Sequence, residues 1–200
     1  MFKNIIQDIK AVKRNDPAAK NYAEVLLCHT PLHAILVHRF AHVLHNIGIP
    51  ILPRFISVIN RFFTGVEIHP AAKIGKGFFI DHGTGVVIGE TAEIGKNCVL
   101  FHNVTLGGTG KHIDKRHPTI GDNVLIGTGA ILLGPISISS NVKIGADTTI
   151  IMHDVPSNCT VVGTPGKVVK LNGKKVNIKL KKTKYKHING IKDKLTWETK

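Results

Sequence analysis

Cysteine is scarce and poorly placed for bridging. Cys28, Cys98 and Cys159 are odd in number, widely spaced and without a C-x-x-C arrangement, which argues against a disulfide framework and for a reduced, cytoplasmic setting. Aromatic residues make up only 6% of the chain, which leaves Ile, Val and Leu to fill the core. No apolar run reaches the ~18 residues of a membrane span, and the opening Met1-Phe2-Lys3-Asn4 does not read as a secretory signal. Acidic residues are also few, 13 against 27 Lys and Arg, for a formal charge of +14. Much of that excess lies in residues 171–200, where ten Lys face only Asp193 and Glu198. Only Tyr185 and Trp197 interleave these lysines. A loosely ordered, solvated tail with no nucleic-acid partner is therefore expected.

What the chain does have is a period of six. Ile68, Ile74 and Ile80 open it; Ile88, Ile94, Leu100 and Leu106 continue it; Ile120, Ile126, Leu132, Ile138, Ile144 and Ile150 complete it. A helix needs a period near 3.6 and an ordinary strand a period of 2, so neither explains sixes. Hexapeptide repeats mark a parallel β-helix, in which three repeats make one triangular coil with the aliphatic side chains inside. Successive coils stack at about 4.8 Å. Glycine follows many of the aliphatics, as at Gly89, Gly121 and Gly145, and is expected to ease the corner by adopting positive φ. Small or β-branched residues two positions before the aliphatic, such as Ala72, Ala92, Cys98, Ala130 and Thr148, suit a tight corner. The expected fold class is mainly β: a left-handed parallel β-helix of hexapeptide repeats over residues 65–170, an accepted exception to right-handed crossovers. A small α-helical cap at residues 1–64 precedes it, and the basic tail at 171–200 follows.

Within the cap, residues 2–14 place Phe2, Ile5, Ile6, Ile9 and Val12 on one helical face. Asp16-Pro17 reads as a helix start. Residues 21–28, 31–47 and about 51–63 are expected to be helical, with breaks at Thr30-Pro31 and Gly48-Ile49-Pro50. His38, His42 and His45 share one face. With no fourth ligand nearby, they read as a packing or subunit-contact stripe rather than a zinc site.

Polar residues gather where the register breaks. Two extra residues separate Ile80 from Ile88, and Asp81-His82 falls there; an imidazole pushed out of a packed wall is a candidate for acid–base chemistry. Residues 107–118 form a second break, a protruding arm with Arg116-His117 at its return. Lys111 and Lys115 read as solvated arm residues. Arg116 reads as a functional group, because guanidinium matches a carboxylate bidentately.

Laid out in this order, the chain resembles the serine O-acetyltransferases of the hexapeptide acyltransferase superfamily. The resemblance covers residues 16–169 and rests on Asp16-Pro17-Ala18, Arg39-Phe40-Ala41-His42, Ile68-His69-Pro70-Ala71-Ala72, Asp81-His82-Gly83-Thr84-Gly85, Thr105-Leu106-Gly107-Gly108-Thr109-Gly110 and Arg116-His117-Pro118. It implies transfer of acetyl from acetyl-CoA to the hydroxyl of L-serine, giving O-acetyl-L-serine and CoA in cysteine biosynthesis. His82 would be the general base, with Glu67 where the family carries an aspartate partner. Asp16 and Asp81 would hold the serine ammonium, Arg116 its carboxylate, and His117 would be a second substrate contact. Gly108, Thr128 and Ala146 would line the pantetheine channel, and Lys143 and Lys167 would meet the phosphates. Acetyl-CoA is then a co-substrate, with no tightly bound cofactor and no metal. The family also implies a homotrimer with sites between subunits, and a dimer of trimers where the helical domain is larger. Many members end in an isoleucine that docks in the next enzyme of cysteine synthesis; this chain ends Trp197-Glu198-Thr199-Lys200, which argues against that complex.

Two other activities suit such a prism. An acetyltransferase acting on a sugar or antibiotic would not need acidic and Arg groups for a zwitterion. A zinc hydratase of the carbonic anhydrase kind would need three fixed ligands, for which His82, His112 and His117 are the candidates. A non-catalytic scaffold is disfavoured by the polar residues at both register breaks.

Overall fold

The computed structural model describes residues 2–110 and 113–183. Lys111, His112 and residues 184–200, with Tyr185 and Trp197 of the basic tail, lie outside the described residues. The cap comprises α1 (Phe2–Asn15), α2 (Tyr22–Cys28), α3 (Thr30–Asn46) and α4 (Leu52–Thr64). Asp16-Pro17, expected to open a helix, instead follows α1: the Asp16 carboxylate accepts the Ala18 amide at 2.8 Å. The side chain that caps α2 is Asn21, which accepts the Glu24 amide at 2.8 Å and so satisfies one of the first-turn donors.

The apolar face expected for α1 is only partly used, because Phe2 and Ile6 stay exposed and the buried positions are Asp8, Ala11 and Val12. Asp8 is 0% exposed. It accepts Nε of Arg39 at 2.5 Å, Nη2 of Arg39 at 3.0 Å and the Phe78 amide at 3.0 Å. Arg39 in turn donates to the carbonyls of Ile74 (3.1 Å) and Gly75 (2.7 Å). One buried ion pair thus ties α1 and α3 to the first coil. The histidine face of α3 packs against the same coil. His42 Nδ1 donates to the Pro70 carbonyl at 2.7 Å, and His38 is so deeply buried that its pKa is pushed down to about 3, with the neighbouring His42 and Arg39 adding to the effect.

The prism has three faces of parallel strands. The first holds Glu67–Ile68, Val87–Ile88, Thr105–Gly107, Ile131–Leu133 and Thr149–Ile151; the second holds Lys73–Ile74, Glu93–Ile94, Thr119–Ile120 and Ser137–Ile138. The third runs from Phe79–Ile80 through Val99–Leu100, Leu125–Ile126 and Lys143–Ile144 to Cys159–Val162. Register follows the aliphatics, with Ile80 on Leu100, Leu100 on Ile126 and Ile126 on Ile144. The repeat aliphatics and the small residues Ala72, Ala92, Cys98, Ala130 and Thr148 are buried, Ile74 alone being half-buried.

The corners work differently from expectation. Positive φ falls not on the residue after the aliphatic, glycine in most repeats, but two residues later, at Asn97 (φ 55°), Asn123 (57°), Asn141 (60°) and Asp147 (51°). Asn and Asp tolerate this region better than other residues with a Cβ. The glycine is needed for clearance from the next coil: a Cβ on Gly121 would stand 2.7 Å from the Ser140 amide, and one on Gly127 2.7 Å from that of Ala146. The asparagines also form a ladder along one corner, Asn123 donating to Asn141 at 3.2 Å and Asn141 to Asn158 at 3.0 Å.

The basic segment expected to be loose is β-structure as far as Lys182. Lys167–Leu171 and Lys174–Lys179 extend the third face antiparallel, and Lys181–Lys182 pairs with His153–Asp154. Leu171, Val176 and Leu180 pack against the core, so apolar contacts at the prism's end outweigh the charge that dominates the composition. No helix among the described residues is long and apolar enough to cross a membrane.

Candidate active site

The first register break bulges at the corner joining the third face to the first. Its chain path needs left-handed residues in close succession, His82 (φ 61°), Gly83 (79°) and Gly85 (75°), while Asp81 and Gly85 stay pinned to Leu100 and Gly65 by backbone hydrogen bonds of 2.8 and 3.0 Å. A non-glycine residue held there is a costly conformation of the kind found at working sites. The His82 side chain is 74% exposed, and its Nε2 lies 3.9 Å from Oδ1 of Asp81.

The helical cap brings Asp16 to this corner. Its carboxylate lies 4.0 Å from Nε2 of His29, and the His29 ring packs on Phe79, centroids 5.7 Å apart. Burial lowers the His29 pKa, while Asp16 and then Asp81 pull it back up. Both expected ammonium-binding carboxylates therefore act on one imidazole. Asp16, Cys28 and His29 line a shallow depression between α1 and α2.

Arg116 and His117 occupy a different corner, where the first face turns into the second. The Arg116 guanidinium pairs with Glu90 and donates to the Ile113 carbonyl at 2.8 Å; the pairing holds the Glu90 carboxyl below its usual range. His117 Nδ1 accepts the Thr91 amide at 3.1 Å. Burial, with the Arg116 charge second, pushes its pKa down to about 4. Its ring fills the space that a side chain at Gly89 would need. Lys115 departs from the solvated role expected for it: it is half-buried, its Nζ donates to the Thr91 carbonyl at 2.5 Å, and burial lowers its pKa.

Within one chain the two clusters do not meet, and neither do His82 and His117 as a ligand set. His112, the remaining ligand of that alternative, lies outside the described residues. Glu67, expected beside His82, has its ion pair with Arg61 at 2.8 Å. Thr128 and Ala146 stack at the His82 corner, each two residues past aliphatics that pair, Ile126 and Ile144. Gly108 lies against the Arg116 backbone at the root of the arm. Lys143 and Lys167 line separate depressions, the first with Asn141 and Lys170, the second with Thr149, Pro165 and Lys179. Among the described residues no three His, Cys, Asp or Glu side chains gather in a way that could hold a metal ion.

His29, Glu90 and His102 carried no sequence signal of their own. His102 sits one coil from His82 with the rings T-shaped, centroids 5.7 Å apart. Counting two residues past each paired aliphatic would have found it.

No family model matches the chain. The serine acetyltransferase of Bacillus subtilis is 57% identical over 175 residues, 88% of this chain and 80% of the relative. Among solved structures, soybean serine acetyltransferase complexed with serine matches with a TM-score of 0.80 and 45% identity, covering 84% of this chain and 68% of that one. The serine acetyltransferase of Brucella abortus in complex with coenzyme A matches with a TM-score of 0.81 and 39% identity, covering 85% and 69%.

Proposed function

The chain belongs to the serine acetyltransferase family, and from that premise we propose that it transfers acetyl from acetyl-CoA to the hydroxyl of L-serine, a step toward cysteine, with His82 as the general base. The observation that carries the assignment of the base is an exposed imidazole held at positive φ beside a carboxylate, on a bulge that the sixfold repeat does not require. His82 takes the hydroxyl proton as the serine oxygen attacks the thioester carbonyl. The tetrahedral intermediate then collapses, and the departing CoA sulfur takes the proton back from the imidazolium. Glu67 orients the imidazolium, if the Arg61 pair opens to release it.

Serine is a zwitterion, and the two clusters supply its complements: Asp16 and Asp81 for the ammonium, Arg116 and His117 for the carboxylate. These lie on different corners of one chain, which supports a site completed by a second copy in a homotrimer. The exposed Phe55, Val58 and Phe62 of α4 offer apolar area for such assembly. Acetyl-CoA runs along the edge of Thr128 and Ala146 toward Gly108, with Lys143 and Lys167 at its phosphates. Three free cysteines suit the cytoplasm. Steady-state thiol release with acetyl-CoA tests the reading: it requires saturation by L-serine, whereas equal turnover with a sugar hydroxyl would replace it.

A further inference from the structure

The depression that carries Asp16 holds an imidazole with its proton already assigned by the fold. His29 stands at the N-cap of α3, where its Nδ1 accepts the Leu32 amide at 3.1 Å. The ring is half-buried and packs on Phe79, centroids 5.7 Å apart. An imidazole nitrogen that accepts carries no proton, so the neutral ring has its hydrogen on Nε2. That nitrogen faces the Asp16 carboxylate, 4.0 Å from Oδ2. The cap fixes the tautomer, Phe79 supports the ring, and the remaining N–H is aimed at a carboxylate expected to meet the serine ammonium.

Asp16 is held from its other side. Its Oδ1 accepts the Ala18 amide at 2.8 Å, and Lys13 ties the end of the same loop to α1 through the Ala19 and Lys20 carbonyls at 2.6 and 2.9 Å. Oδ2 is the oxygen turned to His29. The separation of 4.0 Å exceeds a direct hydrogen bond, and about 1 Å of carboxylate movement closes it. Asp81 acts on the same imidazole from the bulge, with its own Oδ1 3.9 Å from His82. Two carboxylates brought to one place repel each other until a counter-charge arrives. A Lys or Arg between them would supply that charge permanently and exclude the substrate ammonium. A neutral imidazole donates without supplying it. His29 is kept neutral by its cap, because a second proton would have to go on Nδ1, against the Leu32 N–H.

We infer that His29 is a positioning residue of the serine site, its Nε2–H holding Oδ2 of Asp16 in place so that the carboxylate's free lone pairs meet the substrate ammonium. The inference rests on the serine acetyltransferase reading. It gives one side chain two duties, the cap of α3 and the aim of Asp16, and so couples the placement of that helix to the shape of the ammonium site.

Two substitutions separate those duties. His29→Ser keeps a good N-cap acceptor for the Leu32 amide but cannot reach Asp16. His29→Gln keeps an N–H at about the reach of Nε2 but caps poorly. Wild type must show serine-dependent thiol release; without it the functional reading falls, and the inference with it. Given that activity, His29→Ser is expected to melt within about 2 °C of wild type. Its serine KM should rise on the order of tenfold, with kcat and the acetyl-CoA KM within about twofold. The inhibition constant of β-hydroxypropionate, which lacks the ammonium, should also stay within about twofold. His29→Gln should show the reverse, melting about 2–4 °C lower with a serine KM within about threefold of wild type. A serine KM for His29→Ser within about twofold of wild type would overturn the inference. So would a loss that falls equally on serine and β-hydroxypropionate. A serine KM that tracks the melting temperature across the pair, or failure of both variants to fold, would assign His29 to the scaffold alone.

Discussion

Asp8→Ala should loosen the helical cap and, through it, the serine site. The substitution leaves the Arg39 guanidinium, 7% exposed, with only the carbonyls of Ile74 and Gly75, and leaves the Phe78 amide without its acceptor. Removing one partner of a buried ion pair costs about 3–5 kcal/mol. In a chain of this length each 1 kcal/mol is worth about 2–4 °C in Tm, which predicts a fall of about 6–20 °C. α1 ends one residue before Asp16, so the loosening carries Asp16 away from His29 and Asp81. The serine KM should therefore rise while that for acetyl-CoA holds. Circular-dichroism melting, amide hydrogen exchange across α1 and steady-state kinetics read the three effects. Replacing both partners with apolar side chains, Asp8→Leu with Arg39→Met, should regain much of the lost stability, because no uncompensated charge remains. A melting point for Asp8→Ala within about 2 °C of wild type would refute the role given to this pair.

His82→Ala should lower kcat by on the order of 10²–10⁴ without changing the melting profile; near-full turnover in a folded variant would remove it as the base. Arg116→Ala should raise the serine KM strongly and spare that of acetyl-CoA, whereas an equal loss for both would indicate collapse of the arm. Gly89→Ala, whose new methyl group would meet the His117 ring, should mimic loss of His117 in serine binding, and wild-type affinity would contradict that packing. The buried histidines set an acid limit. Burial pushes the pKa values of folded His38 and His117 down to about 3 and about 4, below the ordinary imidazole value of 6.5, so their neutral forms favour folding above pH 6.5. That contribution is lost as pH falls toward the folded values, because the unfolded chain binds protons the native state does not. Melting temperature should fall between pH 6 and 4, less steeply in His38→Gln; identical profiles would refute the assignment.

The prism was legible because a parallel β-helix repeats its core residue at a fixed interval, and each of Ile68 through Ile150 reports the same packing constraint. Asp81-His82 and Arg116-His117 were legible for the complementary reason, since they sit where that constraint lapses. The buried Asp8–Arg39 pair was not, because a charged residue on an amphipathic helix looks like its solvated face until its partner 31 residues away is known. Gly121 is visible in the repeat, but its duty is not, because sequence cannot separate a glycine needed for φ from one needed for clearance. The strands beyond Leu171 were hidden by lysines whose backbones pair while their heads stay in water. Glu67 was placed by analogy, and its Arg61 pair depends on how α4 meets the first coil, which no local pattern encodes.

Which hydroxyl receives the acetyl group decides the function, and the identity of the product reports it. The chain would be incubated with acetyl-labelled acetyl-CoA and equimolar L-serine and a simple sugar, and the products followed by mass spectrometry. Label is expected in O-acetyl-L-serine, formed by wild type and lost in His82→Ala. Label in the sugar instead, or serine acetylation that persists undiminished in His82→Ala, would contradict it.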